Sequence, residues 1–401
     1  MKKQEPAENQ PVASTAAEAG ESANSRRKFL KTGIAAAGAS ALGFPMIARS
    51  AGPRVLKIQG AWGSGIFKEF ALDYVRRVNE MSGGSLKLDY LDVGAVVKTP
   101  EIQTAVSRGV IDGAHLVTAY WYSKDASSSL FGTGPCWGWH ANQLLGWFYY
   151  GGGKELYEEL MRDVLRLDIV GFLSGPMPAQ PLGWFRKEVN GVADMKGLKY
   201  RTVGLAANVM QEMGMSVVQL PGGEIQPAME RGLIDAAEFN NPSSDKDFGM
   251  QDVAKNYYLA SYHQSQETFE IIFNRKIWDS LSDEQKAILK YGCEAASADM
   301  SWKYQDRYSQ DLITLQEEHG VKVHRTSDDI MAAQLEAWDK VIAEFSAKDP
   351  FFTKVIESQK AWMRRVGAYE LTNAPDYQAA YTHYFGSTVD APADRNGVNP
   401  S

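Results

Sequence analysis

The chain has 401 residues, enough for two domains with cores of their own, and its 44% hydrophobic and 23% charged residues are ordinary for a soluble globular protein. Its net charge of −7 is uneven: residues 1–51 hold seven Lys/Arg against four Asp/Glu, and residues 52–401 hold 35 against 45. A body at −10 argues against a nucleic-acid partner, which needs clustered cations, and two cysteines are too few for a disulfide scaffold or a cysteine zinc site.

Residues 25–31 read Ser-Arg-Arg-Lys-Phe-Leu-Lys, followed by a Gly/Ala-rich apolar run over 32–47 and then Ala48-Arg49-Ser50. These are the parts of a bacterial export signal, and Arg-Arg-x-Phe-Leu-Lys closely resembles the twin-arginine form. The 16-residue run is too short and too weakly apolar to span a bilayer well. Residues 1–51 are therefore read as signal and leader, with cleavage near Ser50 or Ala51, and the mature chain is placed in the periplasm.

Residues 54–59 alternate as a strand, and residues 66–82 place Phe67, Phe70, Tyr74 and Val78 on one helical face, stopped by Gly83-Gly84. Residues 85–92 alternate again, completing a β-α-β unit that predicts a largely parallel sheet. Residues 101–114 (EIQTAVSRGVIDGA) then recur at 224–237 (EIQPAMERGLIDAA), identical at nine of fourteen positions. Amphipathic helices share apolar positions by chance, but not the Arg-Gly-x-Ile-Asp turn. The repeat predicts two similar α/β lobes, and open α/β sheets line a crevice at their strand ends. Gly151-Gly152-Gly153 follows a helical-looking run and reads as a helix-to-helix turn. Residues 269–274 read as a return strand, and helices are expected over 283–304, 308–319, 328–345 and 352–369. The Pro/Asp/Asn-rich tail 388–401 closes the chain. Lobe I is assigned to 54–173 with about 262–300. Lobe II is assigned to 174–261 with about 301–372, which includes the spanning helices.

From residue 54 to about 369 the chain resembles the DctP-like solute receptors of tripartite ATP-independent periplasmic (TRAP) transporters. The residues that carry the resemblance are 196–204 (KGLKYRTVG), 220–225 (LPGGEI), 228–238 (AMERGLIDAAE), Phe248-Gly249, 253–257 (VAKNY) and 269–274 (FEIIFN). It implies an α/β, two-lobed periplasmic binding protein fold of type II kind, its lobes joined by hinge strands and a long helix. It also implies no catalysis, and delivery of ligand to membrane permease subunits. Within the family the chain is most similar to the branch binding 2-oxo and 2-hydroxy monocarboxylates with a metal ion, and a homodimer is among the assemblies considered.

Arg201 matches the family arginine that pairs with the ligand carboxylate, and a guanidinium fork offers two parallel donors to that group. Gln180, Glu238, the carbonyl of Phe239 and Glu270 match the metal set; the branch usually has tryptophan or another bulky residue where this chain has Phe239, whose carbonyl would still serve. An all-oxygen set points to sodium or calcium rather than zinc. Trp62, Tyr120 and Tyr122 follow predicted strands and are expected at the cleft mouth. His115 is the lobe I counterpart of Glu238 and reads as a structural histidine. Residues 136–140 (CWGWH) show no metal-ligand spacing, and Cys136 and Cys293 read as small apolar residues, although an oxidising compartment would also permit one disulfide. The alternative reading is an exported metal-dependent hydrolase or glycosidase-like enzyme using Glu238 and Glu270 as acid and base. A third, a signalling ectodomain, lacks an output segment.

Overall fold

The computed structural model describes residues 52–220 and 222–386; the export signal read at 1–51 and the tail at 388–401 lie outside the described residues. Strand β1 (Arg54–Gly60) leads into α1 (Gly65–Met81), which buries the apolar face read from the sequence and ends at Gly83 and Gly84, both at positive φ. Strand β2 (Leu86–Leu91) pairs with β1 in parallel. The first repeat copy forms α2 (Ile102–Ser107), turns at Gly109 (φ 73°) and enters β3 (Gly113–Leu116). Helices α3 (Ala141–Tyr150) and α4 (Gly153–Glu159) meet at Gly152, where φ is 86° and only glycine is comfortable, so the triple glycine is the helix-to-helix turn expected. Strand β4 (Ile169–Met177) completes the outward path through the first sheet.

The second sheet takes β5 (Gly183–Phe185), α5 (Val192–Met195), β6 (Lys199–Arg201), α6 (Ala206–Glu212) and β7 (Ser216–Val218). The second repeat copy follows as α7 (Ile225–Glu230), Gly232 at φ 72°, and β8 (Ala236–Ala237). Helices α8 (Pro242–Asp247) and α9 (Met250–Val253) lead to β9 (Asn256–Leu259). The chain then returns to the first sheet as β10 (Glu267–Asn274), antiparallel between β3 and β4. With β11 (Lys322–Arg325), the sheets run β2-β1-β3-β10-β4 and β11-β9-β5-β8-β6-β7.

The shared Ile-Asp of the repeat has a visible structural reason. Asp112 accepts the N–H of Lys57 at 2.7 Å and Asp235 accepts that of Lys199 at 2.9 Å, while their own amides donate back to the carbonyls of Lys57 and Lys199. In both lobes this reciprocal pair locks the start of β3 or β8 to the neighbouring strand.

After α10 (Arg275–Asp279), α11 (Asp283–Glu317) is one helix of 35 residues, about 50 Å long, where the sequence reading split it in two. Residues 305–307 contain neither Gly nor Pro, and Arg307 ties the helix to Glu69 at 2.7 Å in the first lobe and to Asp247 at 3.7 Å in the second. Ser282 caps its start by accepting the N–H of Gln285. Helices α12 (Asp328–Lys348) and α13 (Pro350–Asn373) break at Asp349-Pro350, and α14 (Tyr377–Phe385) follows. Trp137 donates to Gln359 of α13 at 3.1 Å and Trp139 to the carbonyl of Pro135, so residues 136–140 serve packing. Both cysteines are free, and Cys293 is buried in the core. No described helix is long and apolar enough to cross a membrane.

Candidate functional site

Two chain segments cross side by side between the sheets, where the N–H of Gln180 donates to the carbonyl of Gln264 at 2.9 Å. Against this crossing lies a cavity of about 20 Å³, closed down to little more than the room of one water. One wall is aromatic, from Trp62, Phe67, Tyr120 and Phe269, and the other is polar, from Gln180, Arg201, Asn240 and Glu267 with Phe239. Grooves of about 380 and 550 Å³ lie elsewhere, one at Pro176 and Tyr304, the other behind β5 at Arg186 and Asn190. The site is assigned to the small cavity because the buried arginine and two buried carboxylates gather there.

Arg201 ends β6, and its side chain is only 2% exposed. Its Nε and Nη2 donate to the carbonyl of Leu220 at 2.9 and 2.7 Å, and its Nη1 donates to the Glu238 carbonyl at 3.1 Å and to Glu238 Oε1 at 2.9 Å. The fork expected to face a carboxylate with two donors is therefore largely engaged within the protein. One Nη2 hydrogen remains, and a two-point grip requires Nη1 to release Glu238.

Glu238 is fully buried; burial pushes its carboxyl up to about 7, opposed by Arg201 and by Thr202 and Gln264 beside it. Its Oε2, Gln180 Oε1 and Gln264 Oε1 are buried acceptors that receive no hydrogen bond from any described residue. Orphaned oxygens in one place fit a hard cation, which needs oxygen ligands and no donors. Among the described residues no three His, Cys, Asp or Glu side chains cluster at metal-binding distance, so such an ion would rest on carboxylates together with amides and a carbonyl. The turn carrying the Phe239 carbonyl is stiffly held. Asp245 accepts the N–H groups of Asn240 and Asn241 and the indole of Trp184, and Asn241 caps α8 ahead of Pro242.

Glu270 is not part of this cluster. Side chains on a strand alternate between faces, and Glu270 points to the opposite face of β10 from the cavity residue Phe269. Its two oxygens accept from the Trp121 indole at 2.7 Å and from the Tyr157 hydroxyl, inside the first lobe. The carboxylate that reaches the cavity is Glu267, at the first residue of the strand, which sequence reasoning missed. Its Oε2 accepts from Gln180 at 3.0 Å and from Asn240, and burial, with Glu238 nearby, pushes it up to about 8. The polar run Gln264–Thr268 just before an apolar strand was the available signal.

Trp62 donates to the Tyr120 hydroxyl at 3.2 Å, and both line the cavity. Tyr122 sits farther out, in an adjoining pocket of about 170 Å³ with Tyr120, Val203 and Leu220, and donates to Asn208 across the cleft at 2.8 Å. His115 is buried among Trp62, Phe70 and Phe269 with neither ring nitrogen bonded to a described residue, and burial holds it down at about 3.

Residues 63–349 match the model of bacterial extracellular solute-binding protein family 7, the DctP family. The chain belongs to this family. It is 31% identical over 303 residues, 76% of its length and 82% of the relative's, to the monocarboxylate 2-oxoacid-binding periplasmic protein of a Nostoc species. Among solved structures it resembles a TRAP periplasmic solute-binding protein of Pseudoalteromonas atlantica with bound sodium and pyruvate (TM-score 0.75, 31% identity, 83% of this chain and 99% of that one). It is also similar to one of Colwellia psychrerythraea with bound calcium and pyruvate (0.76, 29%, 83% and 100%). A third, from Bordetella bronchiseptica, is a dimer with copurified calcium and picolinate (0.76, 26%, 83% and 97%). This DctP-family chain is thus a periplasmic TRAP receptor, which captures a solute between its lobes and passes it to the permease. The family and these relatives are solute-binding proteins, not enzymes, which sets aside the hydrolase or glycosidase reading.

Proposed function

We propose that the receptor binds a small 2-oxo or 2-hydroxy monocarboxylate together with sodium or calcium. The observation that carries this reading is the buried Arg201 beside three orphaned oxygens of Gln180, Glu238 and Gln264. In this reading the cation sits on Glu238, Gln180 and the Phe239 carbonyl, with Gln264 joining them. It takes over Glu238, so that Arg201 turns its freed donors to the ligand carboxylate. A 2-oxygen next to that carboxylate would complete a chelate on the same ion, which selects 2-oxo and 2-hydroxy acids over plain ones. Trp62, Tyr120 and Phe239 enclose the remainder, and Tyr122 latches the mouth through Asn208. Residues 54–173 with 262–300 form one lobe and 174–261 with 301–372 the other. Pyruvate, longer 2-oxo acids and lactate should each raise the melting temperature and give saturable calorimetric heat, with no change in the compound by NMR. Chemical conversion, or no thermal response to any small carboxylate, would sink the reading.

Two finer points belong to the same proposal. Export uses the twin-arginine route through Arg26-Arg27, so replacing both by Lys should leave unprocessed precursor in the cytoplasm. The receptor also pairs as a homodimer through its C-terminal helices, where Tyr369, Leu371, Tyr377 and Tyr384 are each more than 65% exposed. Sedimentation of the chain ending at residue 374 should then give a monomer where the full chain gives a dimer.

A further inference from the structure

The two walls of the cavity are joined from behind by a cluster of charges that lies outside the cavity lining. Phe67 of α1 and Phe239 of the site turn meet edge to face across the cleft, 5.6 Å between ring centroids. Two residues beyond Phe67, Glu69 accepts from Lys303 and, at 2.7 Å, from Nη1 of Arg307, both on α11. The same guanidinium reaches Asp247, the last residue of α8, through Nη2 at 3.7 Å, and Asp311 through Nε at 3.6 Å. Lys246, beside Asp247, pairs with the other oxygen of Asp311. The path from site to cluster is short: Asp245 holds the Asn240-Asn241 turn, and the next two residues grip α11. A second attraction runs directly from lobe to lobe. A Cβ at Gly65, the first residue of α1, would stand 3.6 Å from Asp247 Oδ2. This carboxylate therefore lies beside the positive end of a helix whose first turn has no acidic residue and whose Ser64 makes no side-chain cap. Glu69 belongs to the first lobe, and Arg307 lies just past the point assigned above for the passage of α11 to the second. Opening the cleft then parts Glu69 from Lys303 and Arg307, and Asp247 from α1, while Arg307 keeps Asp247 and Asp311.

We propose that Glu69, Arg307 and Asp247 form an ionic clasp, complete only when the lobes are shut, which sets how fast the receptor releases its solute. None of the three lines the cavity, so they act on the solute through closure alone. A bond made only in the closed state slows dissociation and leaves the encounter rate nearly unchanged. The side chains of Glu69, Arg307 and Asp247 are 36%, 34% and 32% exposed, so dissolved salt screens them and retention falls as ionic strength rises. The clasp goes beyond the carboxylate-and-cation reading and does not depend on which solute is held.

The test uses the mature receptor with pyruvate as the probe and with sodium and calcium chloride held constant. Release is followed in stopped flow by tryptophan fluorescence, since Trp62 lines the cavity. It is measured in about 20 and about 500 mM potassium chloride, which differ severalfold in screening length. In the lower salt Glu69→Gln and Arg307→Gln should each speed release about three- to tenfold, with association within about twofold. The double variant should be no more than about twofold faster than the quicker single one, because both substitutions remove the same bond. In the higher salt the wild type should approach the variants. Release at the wild-type rate, an acceleration that salt leaves unchanged, or losses that add in full would each overturn the clasp. So would variants that only melt earlier, because a structural brace lowers the melting temperature without touching the release rate. A wild type that binds no pyruvate would count against the carboxylate reading alone. The clasp is then decided by the same measurements on the solute retained in native mass spectra of the purified receptor.

Discussion

The two lobes use one backbone plan with different side chains at two matched positions. In β1-β2-β3 and β6-β7-β8 the first strand lies between the other two, and Gln59 pairs with Ala114 as Arg201 pairs with Ala237. Each residue secures the loop beyond the second strand. Gln59 bonds the backbone of Val96 and Val97, and Arg201 bonds the carbonyl of Leu220. At the end of the repeat, His115 of the first lobe stands where Glu238 stands in the second. In the first lobe both positions are neutral, and the surroundings are aromatic rings. In the second they form a buried ion pair with an orphaned oxygen. The shared frame places groups at the crossing, and of these two matched positions only those of the second lobe carry charge.

The comparison breaks most directly at Arg201. Arg201→Ala should cost about 2–5 kcal/mol of pyruvate binding by calorimetry, because it removes the donor and leaves Glu238 unpaired. Gln59→Ala should instead lower unfolding free energy in urea and leave affinity within about threefold. Equal losses of affinity in both would mean the lobes are not chemically distinct.

The second matched pair comes next. Glu238→Gln should weaken pyruvate by about 2–4 kcal/mol and abolish its dependence on added cation, while His115→Phe should stay within about threefold of wild type. A His115 variant as damaged as the Glu238 variant would make the histidine part of the site.

Glu270 sharpens the contrast within the first lobe, where a buried carboxylate is held by a tyrosine and a tryptophan rather than by an arginine. Burial pushes it up to about 7, against the Tyr157 and Trp121 donors and nearby Lys124. The folded chain therefore keeps a proton that the unfolded chain releases above about 4.5, and its stability contribution is complete below that pH. It should be lost progressively as pH rises to about 7 and then level off. Glu270→Gln should flatten that decline by on the order of 1–3 kcal/mol in urea melts at pH 4.5 and pH 7.5. Parallel curves for the two proteins would place the ionisation elsewhere.

The smallest expected effect lies at the mouth. Tyr122→Phe removes the bond to Asn208 that ties the lobes together, and should weaken ligand by about 0.5–1.5 kcal/mol, mainly through faster release. An unchanged release rate in stopped flow would show that the latch does not hold the closed state.

Much of this was legible in the residues in order. The repeat, its Arg-Gly turn and the paired aspartates are local, since a glycine at positive φ and a carboxylate facing a strand amide act over a few residues. So are the apolar face of α1 and the caps that begin α8 and α11. Arg201, Glu238 and Phe239 were singled out by their match to the family's motifs, and the structure puts Arg201 at the end of β6 and Glu238 just past β8. Only the tertiary structure decided between Glu267 and Glu270. Three residues apart on one strand, they face opposite sides, and a bulge between Glu267 and Phe269 disturbs the count just where it is needed. The engagement of Arg201 with Leu220 and Glu238, and the unbroken α11, also depend on partners distant in sequence. A chain read residue by residue specifies which groups are available at each strand end. The pairing of one crossing segment with the other determines which of them meet, because contacts between residues 180 and 264 carry no signal in the local order of either.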